Sequence, residues 1–189
     1  DLFYEDNIDY STQKEFEIGF DEESNRYTIP IRSELGDLVG IKGRYFYREV
    51  PEGENKYIYL EPCARSKIIY GLYKTIDYIK SSGKIFVGES EKFSQQLWSY
   101  GYRNSGGTGG KELSQHQIDM LVRLGVMIIF CFDKDVTKDG LEKLADRFPD
   151  GVPLFYIYDE DNVLNEHESP SDNPTKWQYM VEHNVYKLR

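Results

Sequence analysis

The stretch "IIFCFDKDV", residues Ile128–Val136, decides how the second half of this chain is interpreted. It begins as an apolar run typical of a buried strand and then changes abruptly to Asp133, Lys134 and Asp135. Because alternate side chains of an extended chain point to the same side, Asp133 and Asp135 are expected to point one way and Lys134 another. Two carboxylates at the end of a buried strand can hold a metal ion. They can equally be solubilising loop residues or caps of the next helix, and the pattern alone leaves both interpretations open.

Strand–helix units repeat along the chain from residue 84 onward. The predicted strands are "KIFVGE" (84–89), "VMIIFCF" (126–132) and "VPLFYIY" (152–158). Helices are predicted through Phe93, Leu97 and Tyr100, from Ser114 (with Gln117 in capping-box position) to Gly125, over 137–148 and over 175–183. "SGGTGG", residues 105–110, is predicted to be a loop. This repetition predicts an α/β fold with a mostly parallel sheet that is covered by helices.

The first 82 residues are instead rich in Tyr and strand-like. "RYTIPIR" (26–32) and "DLVGIKGRYFY" (37–47) flank a polar turn and predict an antiparallel hairpin. "KYIYLEP" (56–62) predicts a third strand, and a helix is predicted to end at Gly83. The change of pattern predicts a basic, α+β N-terminal subdomain over 1–82 and a catalytic α/β domain over 83–189.

Composition limits the possible functions. The 189 residues include 39% hydrophobic and 15% aromatic side chains, which indicates a folded protein rather than a disordered one. The net charge of -10 argues against binding polyanions through bulk charge, so a nucleic-acid function needs locally concentrated Lys and Arg or metal ions. The three His and two Cys have no zinc-ligand spacing. We see no signal peptide or long apolar segment, so a cytoplasmic protein is expected, and the start at Asp1 suggests part of a longer chain or a reduced phage protein.

Glu89 supplies a third candidate carboxylate, 44 positions before Asp133. It ends the first strand of the second region, and the carboxyl ends of parallel strands lie along one sheet edge, where ligands bind. Glu89, Asp133 and Asp135 can therefore converge. Mg²⁺ prefers such oxygen donors, supplemented by water. The alternative is that all three acids are ordinary residues at strand ends.

Basic residues concentrate in the first region, interleaved with Tyr and Phe. They are Arg32, Lys42, Arg44, Arg48, Lys56, Arg65 and Lys67. Basic side chains position phosphates and aromatic rings stack on bases, so this pattern predicts a nucleic-acid groove. A solvated sheet face above core aromatics is the alternative.

Two loops have weaker patterns. The backbone of the glycine-rich stretch 105–110 could approach a phosphate, but it lacks the residue order of a P-loop and is also compatible with a flexible linker. The acidic stretch 165–174 contains Glu166, Glu168 and Asp172. These acids could add metal-binding or outer carboxylates, or simply solvate a surface loop.

Taken in order, these stretches resemble the catalytic core of bacterial and phage-type DNA primases, which contains a Toprim domain. The stretches that resemble its signature phrases are "RYTIPIRSELGDLVGIKGRYF" (26–46), "NKYIYLEPCARSKIIYGLY" (55–73), "IFVGES" (85–90), "NSGGTGG" (104–110), "IIFCFDKDV" (128–136) and "ESPSDNP" (168–174). The resemblance runs from about Phe16 to the last helix. Three positions depart from it: Ser90 follows Glu89, the small residues after Asp135 are missing, and Asp6 and Asn7 stand near an expected arginine.

The resemblance implies a set of site residues. The catalytic and metal-binding acids that it implies are Glu89, Asp133 and Asp135, with Asp172 and Glu168 as further metal ligands. The nucleotide- and template-binding residues that it implies are Arg44, Lys56, Lys67, Gly107 and Thr108. Mg²⁺ or Mn²⁺ is the implied cofactor.

The implied activity is synthesis of short RNA primers on single-stranded DNA from ribonucleoside triphosphates. The chain would then be a nucleotidyltransferase of DNA replication, in a bacterial or phage-infected cell, with a replicative helicase as a partner through further modules. A Toprim nuclease and a topoisomerase fragment share the same acids and remain open. So does a non-catalytic nucleic-acid-binding replication module.

Overall fold

The computed structural model describes residues 1–166 and 168–189. Within these residues the strands form two sheets. The first is antiparallel, in the order β1-β2-β3-β4. Its strands are β1 (Gly19–Asp21), β2 (Arg26–Arg32), β3 (Leu38–Tyr45) and β4 (Tyr57–Glu61). The predicted hairpin and third strand are therefore confirmed.

The second sheet has the order β6-β5-β7-β8-β9. Its strands are β5 (Lys84–Gly88), β6 (Ser105–Gly107), β7 (Met127–Phe130), β8 (Leu154–Ile157) and β9 (Val185–Lys187). β5, β6, β7 and β8 run parallel, and β9 pairs with β8 in the antiparallel direction. The predicted α/β class with a mostly parallel sheet is confirmed.

One prediction in this sheet was wrong. The first half of "SGGTGG" is not a loop but the strand β6. Its glycines allow a close approach that side chains would prevent: a Cβ on Gly106 would lie 2.6 Å from Ile69, and one on Gly107 would lie 2.4 Å from the carbonyl oxygen of Ser90. A strand without side chains has no hydrophobic alternation, so periodicity could not reveal it.

Helices surround the second sheet, and shorter ones precede the first. They are α1 (Leu2–Glu5), α2 (Tyr10–Glu15), α3 (Leu72–Ser82), α4 (Glu91–Ser99), α5 (Gln115–Leu124), α6 (Lys138–Ala145) and α7 (Pro174–His183). The predicted capping box is present, because the Ser114 hydroxyl accepts from the Gln117 amide and the Gln117 side chain accepts from the Ser114 amide. No helix within the described residues is long and apolar enough to cross a membrane.

Both faces of the parallel sheet are buried, as expected when helices cover each side. Ile128 and Phe130 of β7 pack into a cluster with residues of α3, α5 and α6, whereas Ile129 packs into a second cluster with α4 and α7. Trp177 of α7 is fully buried in that second cluster. This packing holds the carboxyl ends of β5 and β7 side by side, at the edge that faces the first sheet.

Candidate active site

Adjacent parallel strands bring Glu89 and Asp133 together. Val87 of β5 pairs with Phe130 of β7, so both chains leave the sheet at the same edge. The amide of Asp133 donates a hydrogen bond to Oε1 of Glu89 at 3.3 Å. The Asp133 carboxylate in turn accepts a hydrogen bond from the hydroxyl of Ser169 at 2.5 Å. The expected convergence of these two acids is present.

Glycine and serine residues set the position of Glu89. A Cβ on Gly88 would lie 2.2 Å from the ring of Phe93, so only glycine lets the first turn of α4 pack over the end of β5. Ser90 then caps α4, because its hydroxyl accepts a hydrogen bond from the amide of Phe93. The reversed order around Glu89, with glycine before it and serine after it, is thus a way to start the helix immediately after the acid.

The environment of Glu89 favours a bound cation. Burial raises the pKa of its carboxyl, and the negative charge of Asp133 raises it further. The hydrogen bond from the Asp133 amide and the positive charge of Lys111 act in the opposite direction. A positive charge placed between the Glu89 and Asp133 carboxylates would therefore stabilise the ionised form of Glu89.

Replacing Glu89 by Gln is expected to raise the free energy of unfolding at neutral pH. The pKa of Glu89 is higher in the folded than in the unfolded state, so its contribution to stability is full below the unfolded pKa and is lost as pH rises through the folded pKa. The parent therefore carries a cost at pH 7 that Glu89→Gln removes. Thermal unfolding should show a higher Tm for the variant at pH 7, and the difference should shrink as pH is lowered towards about 4. An unchanged or lower Tm at pH 7 would contradict this account.

Asp135 lies further out than Asp133. Its carboxylate accepts a hydrogen bond from the ammonium of Lys111, and both side chains are exposed. Lys134 pairs with Asp159, at 3.3 Å. That the two acids point one way and Lys134 another stays a prediction.

The two acids of the last loop are engaged by lysines. Asp172 accepts from Lys92 at 2.5 Å, and these contacts lower its pKa although burial acts to raise it. Glu168 pairs with Lys176 at 2.5 Å. The amide of Ser169 also donates to Asp172, at 3.0 Å, so Ser169 connects Asp172 to Asp133 without a direct contact between the two carboxylates.

The donor set suits a hard cation that keeps part of its water. Across residues 1–166 and 168–189, no three His, Cys, Asp or Glu side chains lie close enough together to form a metal cage. Mg²⁺ typically binds through one or two carboxylates, waters and substrate phosphates rather than through a cage made of protein alone. Glu89 and Asp133 meet that requirement, and the five-ligand set expected from the sequence stays a prediction.

A basic cavity of about 240 Å³ opens beside the carboxylates, between the two sheets. Its lining includes the ring of Tyr57 and more cationic than anionic side chains. The cations are Lys42, Arg44, Lys56 and Lys92, and the anions are Asp6, Glu91 and Asp133. Burial raises the pKa of Tyr57 to about 12, so its hydroxyl stays protonated at neutral pH. The cavity thus combines cations, a neutral hydroxyl and an aromatic face next to an acidic edge.

Arg44 and Lys56, both predicted from the sequence, line this cavity in different ways. Arg44 is buried, and its Nη1 donates to the carbonyl oxygens of Tyr45 and Tyr47, the second at 3.0 Å. Lys56 has no ion-pair partner within the described part of the chain. Partial removal from water lowers its pKa, and the charges of Arg44 and Lys92 lower it further, whereas the negative charge of Asp6 acts in the opposite direction. An ammonium held in this way favours an anion as its partner.

The other three predicted binding residues have separate positions. Lys67 is exposed in a 3-10 turn (Arg65–Lys67) and lines none of the cavities described here. Gly107 and Thr108 line neither of the two cavities of the site but a separate small pocket next to Glu91, and the Thr108 amide donates to the carbonyl of Gly88 at 3.0 Å. Their observed contacts support the carboxyl end of β5.

Sequence reasoning missed Glu91 and Lys92 and did not single out Lys42. Glu91 is 5% exposed, yet it lines the basic cavity and a smaller one of about 200 Å³ that also contains Glu89 and Asp133. Two signals were available. Lys42 and Arg44 are two positions apart on β3 and therefore lie on the same face of that strand. Glu91 follows Glu89 by two positions, as Asp135 follows Asp133, and it is the first residue of a helix.

The chain is similar in sequence to primases and to one prophage protein. It is 28% identical over 202 residues to the SPbeta prophage-derived uncharacterized protein YorJ of Bacillus subtilis (strain 168), covering 90% of this chain and 53% of that protein. It is 31% identical over 152 residues to the DNA primase of Aquifex aeolicus (strain VF5), covering 75% of this chain and 30% of the primase. The chain therefore spans about half, or less, of the length of the relatives it matches.

Solved primase structures share its fold. The Aquifex aeolicus primase (zinc-binding and RNA polymerase domains) superimposes with a TM-score of 0.80 at 19% identity, over 98% of this chain and 55% of that one. A DnaG primase catalytic domain bound to ssDNA gives a TM-score of 0.76 at 19% identity, over 98% and 71%. No protein-family model matches the chain. The chain therefore has the fold of the bacterial-type DNA primase catalytic core, Toprim domain included, and resembles that family in sequence.

Proposed function

We propose that this chain is the catalytic core of a DNA primase, a nucleotidyltransferase that makes short RNA primers on single-stranded DNA. The supporting relatives are named DNA primase, and the structural neighbours are primase catalytic cores. In this proposal residues 1–82 hold the nucleic acid and residues 83–189 carry the catalytic acids. The expected setting is the cytoplasm of a bacterial or phage-infected cell.

One observation carries the proposal: Asp133 lines both the basic cavity and the smaller one that contains Glu89 and Glu91, which we call the acidic cavity. A site for phosphoryl transfer needs carboxylates that hold metal ions and, next to them, cationic side chains that bind phosphates. Both are needed at one place because negative charge develops on the phosphate oxygens as the phosphoryl group is transferred. Glu89 and Asp133 provide the first requirement, and Arg44 and Lys56 provide the second. The total charge of -10 is compatible with a polyanionic ligand because four cationic side chains line this one cavity.

In the proposed reaction the acidic and the basic residues have different roles. Glu89 and Asp133, with Asp135 beside them, would hold Mg²⁺ or Mn²⁺. When bound, such an ion neutralises phosphate charge as a primer hydroxyl attacks the α-phosphate and pyrophosphate leaves. Arg44 and Lys56 orient the triphosphate through charge-assisted hydrogen bonds.

The same arrangement offers a path for the template. Tyr57 and Tyr59 alternate on β4, the edge strand of the first sheet, and both rings are partly exposed. Lys42, Arg44 and Lys56 lie over the Tyr57 ring, with distances to its centroid of 4.7, 5.8 and 5.8 Å respectively. Aromatic rings flanked by cations bind single-stranded nucleic acid by stacking and by charge. A related DnaG catalytic domain has been solved with ssDNA.

The test is incubation of the chain with single-stranded DNA, ribonucleoside triphosphates and Mg²⁺ or Mn²⁺. The proposal predicts short labelled oligoribonucleotides that require both the template and the metal. Degradation of the template without triphosphates would assign the site to a nuclease instead. Relaxation of supercoiled DNA would indicate a topoisomerase fragment. Template binding with no reaction in any assay would leave a non-catalytic module and overturn the proposal.

Replacing Lys56 by Met is expected to weaken the binding of ribonucleoside triphosphates and of single-stranded DNA about tenfold, the effect of one charge-assisted hydrogen bond. Lys56 faces the cavity without a carboxylate partner among the described residues, so its charge is available to an anion. Fluorescence titration measures both affinities. Lys80→Met, in the exposed last turn of α3, is the matched control and should change neither. Equal affinities for the parent and Lys56→Met would remove Lys56 from the site.

A further inference from the structure

Lys42 and Glu91 form a largely buried ion pair that connects the first sheet to α4, the helix that follows β5. The ammonium of Lys42, on β3, donates to Oε2 of Glu91 at 2.8 Å, and the two side chains are 17% and 7% exposed. Lys42 also lies over the ring of Tyr57. Such a pair has lost most of its water, so each charge depends on the other for compensation.

The Lys42–Glu91 pair also borders both cavities of the candidate site. Lys42 and Glu91 line the basic cavity together with Arg44 and Lys56, and they also line the smaller cavity that contains Asp133. An anion that extends from the basic cavity towards the carboxylates therefore passes directly by Lys42. Glu91 now provides Lys42 with the oxygen that such an anion would otherwise provide.

We propose that Lys42 is a phosphate-binding residue and that Glu91 is its intramolecular competitor, which releases the ammonium when a polyphosphate enters the cavity. This inference rests on the proposed function, because it assumes that the cavity takes phosphates. Exchange is chemically balanced, since a phosphate oxygen replaces a carboxylate oxygen as the acceptor for Lys42. After release, Glu91 keeps partial compensation, because it is the first residue of α4 and lies at the positive end of that helix.

The competition gives the two partners opposite effects on binding. Lys42→Met removes a phosphate ligand and should weaken the binding of inorganic tripolyphosphate about tenfold. Glu91→Gln frees the same ligand from its competitor and should strengthen that binding about threefold or more. If the pair only connects the first sheet to α4, both variants lose the same interaction and should shift the affinity in the same direction.

Isothermal titration with tripolyphosphate in the absence of metal measures these affinities, and thermal unfolding verifies that each variant is folded. The double variant Lys42→Met/Glu91→Gln separates competition from simple repulsion of an anion by Glu91. If Glu91 acts only by competing for Lys42, the double variant should bind tripolyphosphate with the same affinity as Lys42→Met, because it has no Lys42 ammonium for Glu91 to release. A gain from Glu91→Gln that persists without Lys42 would overturn the proposal, as would shifts of equal sign in the single variants.

A second ion pair provides the matched control. Lys74 and Glu15 join α3 to α2 at the same distance, 2.8 Å, but neither lines the two cavities. Lys74→Met and Glu15→Gln should leave tripolyphosphate affinity unchanged. The readout uses neither metal nor activity, so it is independent of the primer-synthesis assay. If Lys42→Met and Glu91→Gln shift the affinity in opposite directions but no primers are made, the phosphate site is retained and the primase function is rejected. If primers are made but the shifts are not opposite, the primase function is retained and the competition between Glu91 and phosphate is rejected.

Discussion

Asp133→Asn is expected to lower the rate of primer synthesis by at least about a hundredfold, because it removes a charge at the point where the acidic and basic cavities meet. Asparagine keeps the size of the side chain and can still accept the hydrogen bond from Ser169. The loss should therefore reflect charge rather than folding. Initial rates with labelled ribonucleotides give the activity, and a Mn²⁺ titration followed by electron paramagnetic resonance should show weaker binding.

The control for this prediction is Asp139→Asn. Asp139 lies on α6 in an exposed pair with Lys143, at 2.8 Å, and lines neither cavity. It should retain the parental rate and metal affinity. An Asp133→Asn variant with the parental Tm and a rate within threefold of the parent would show that Asp133 is not part of the catalytic site.

Gly107→Ala is expected to lower the free energy of unfolding by about 2–3 kcal/mol, the usual cost of forcing a methyl group into a packed position. The added Cβ would lie 2.4 Å from the carbonyl oxygen of Ser90 and 2.9 Å from its carbon. These are backbone atoms, so no side-chain rotation can relieve the contact. Ser90 lies between Glu89 and Glu91, and a shift of its backbone should also reduce primer synthesis.

Gly110→Ala is the matched control, because nothing lies within 4 Å of a Cβ built there. Urea denaturation of both variants measures the difference. Gly110→Ala should stay within about 0.5 kcal/mol of the parent, as is usual for substitutions on open surfaces. If Gly107→Ala were equally stable, the close packing of β6 against the start of α4 would not be needed for the fold.

Much of the fold could be predicted from local patterns. The hairpin of β2 and β3, the strands β5, β7 and β8, and the capping box at Ser114 were all predicted correctly. β6 was missed because three residues with little or no side chain carry no periodic signal. The predicted boundary near residue 83 falls between β4 and β5, but α3 on its N-terminal side packs against the second sheet, and the division into two domains remains a prediction.

The candidate site could be predicted only in part. Glu89 and Asp133 were predicted to meet, because the carboxyl ends of neighbouring parallel strands share an edge. Asp172 as a metal ligand stays a prediction, and in the structure its carboxylate accepts a hydrogen bond from Lys92, 80 positions earlier. Lys67 was grouped with Arg44 and Lys56 through the family resemblance, and in the structure only the latter two line the cavity. Their roles in binding remain predictions that the variants described above test.

The sequence by itself determined the central strands β5, β7 and β8, the helices between them, and the placement of Glu89 and Asp133 at strand ends. Hydrophobic periodicity, helix caps and glycine stops act between neighbouring residues, so they can be read directly from the chain. Only the tertiary structure decided that Lys42 meets Glu91, 49 positions away, and that both border the cavity beside Asp133. Such a pair depends on how the first sheet and α4 pack against each other, and that packing has no period in the sequence.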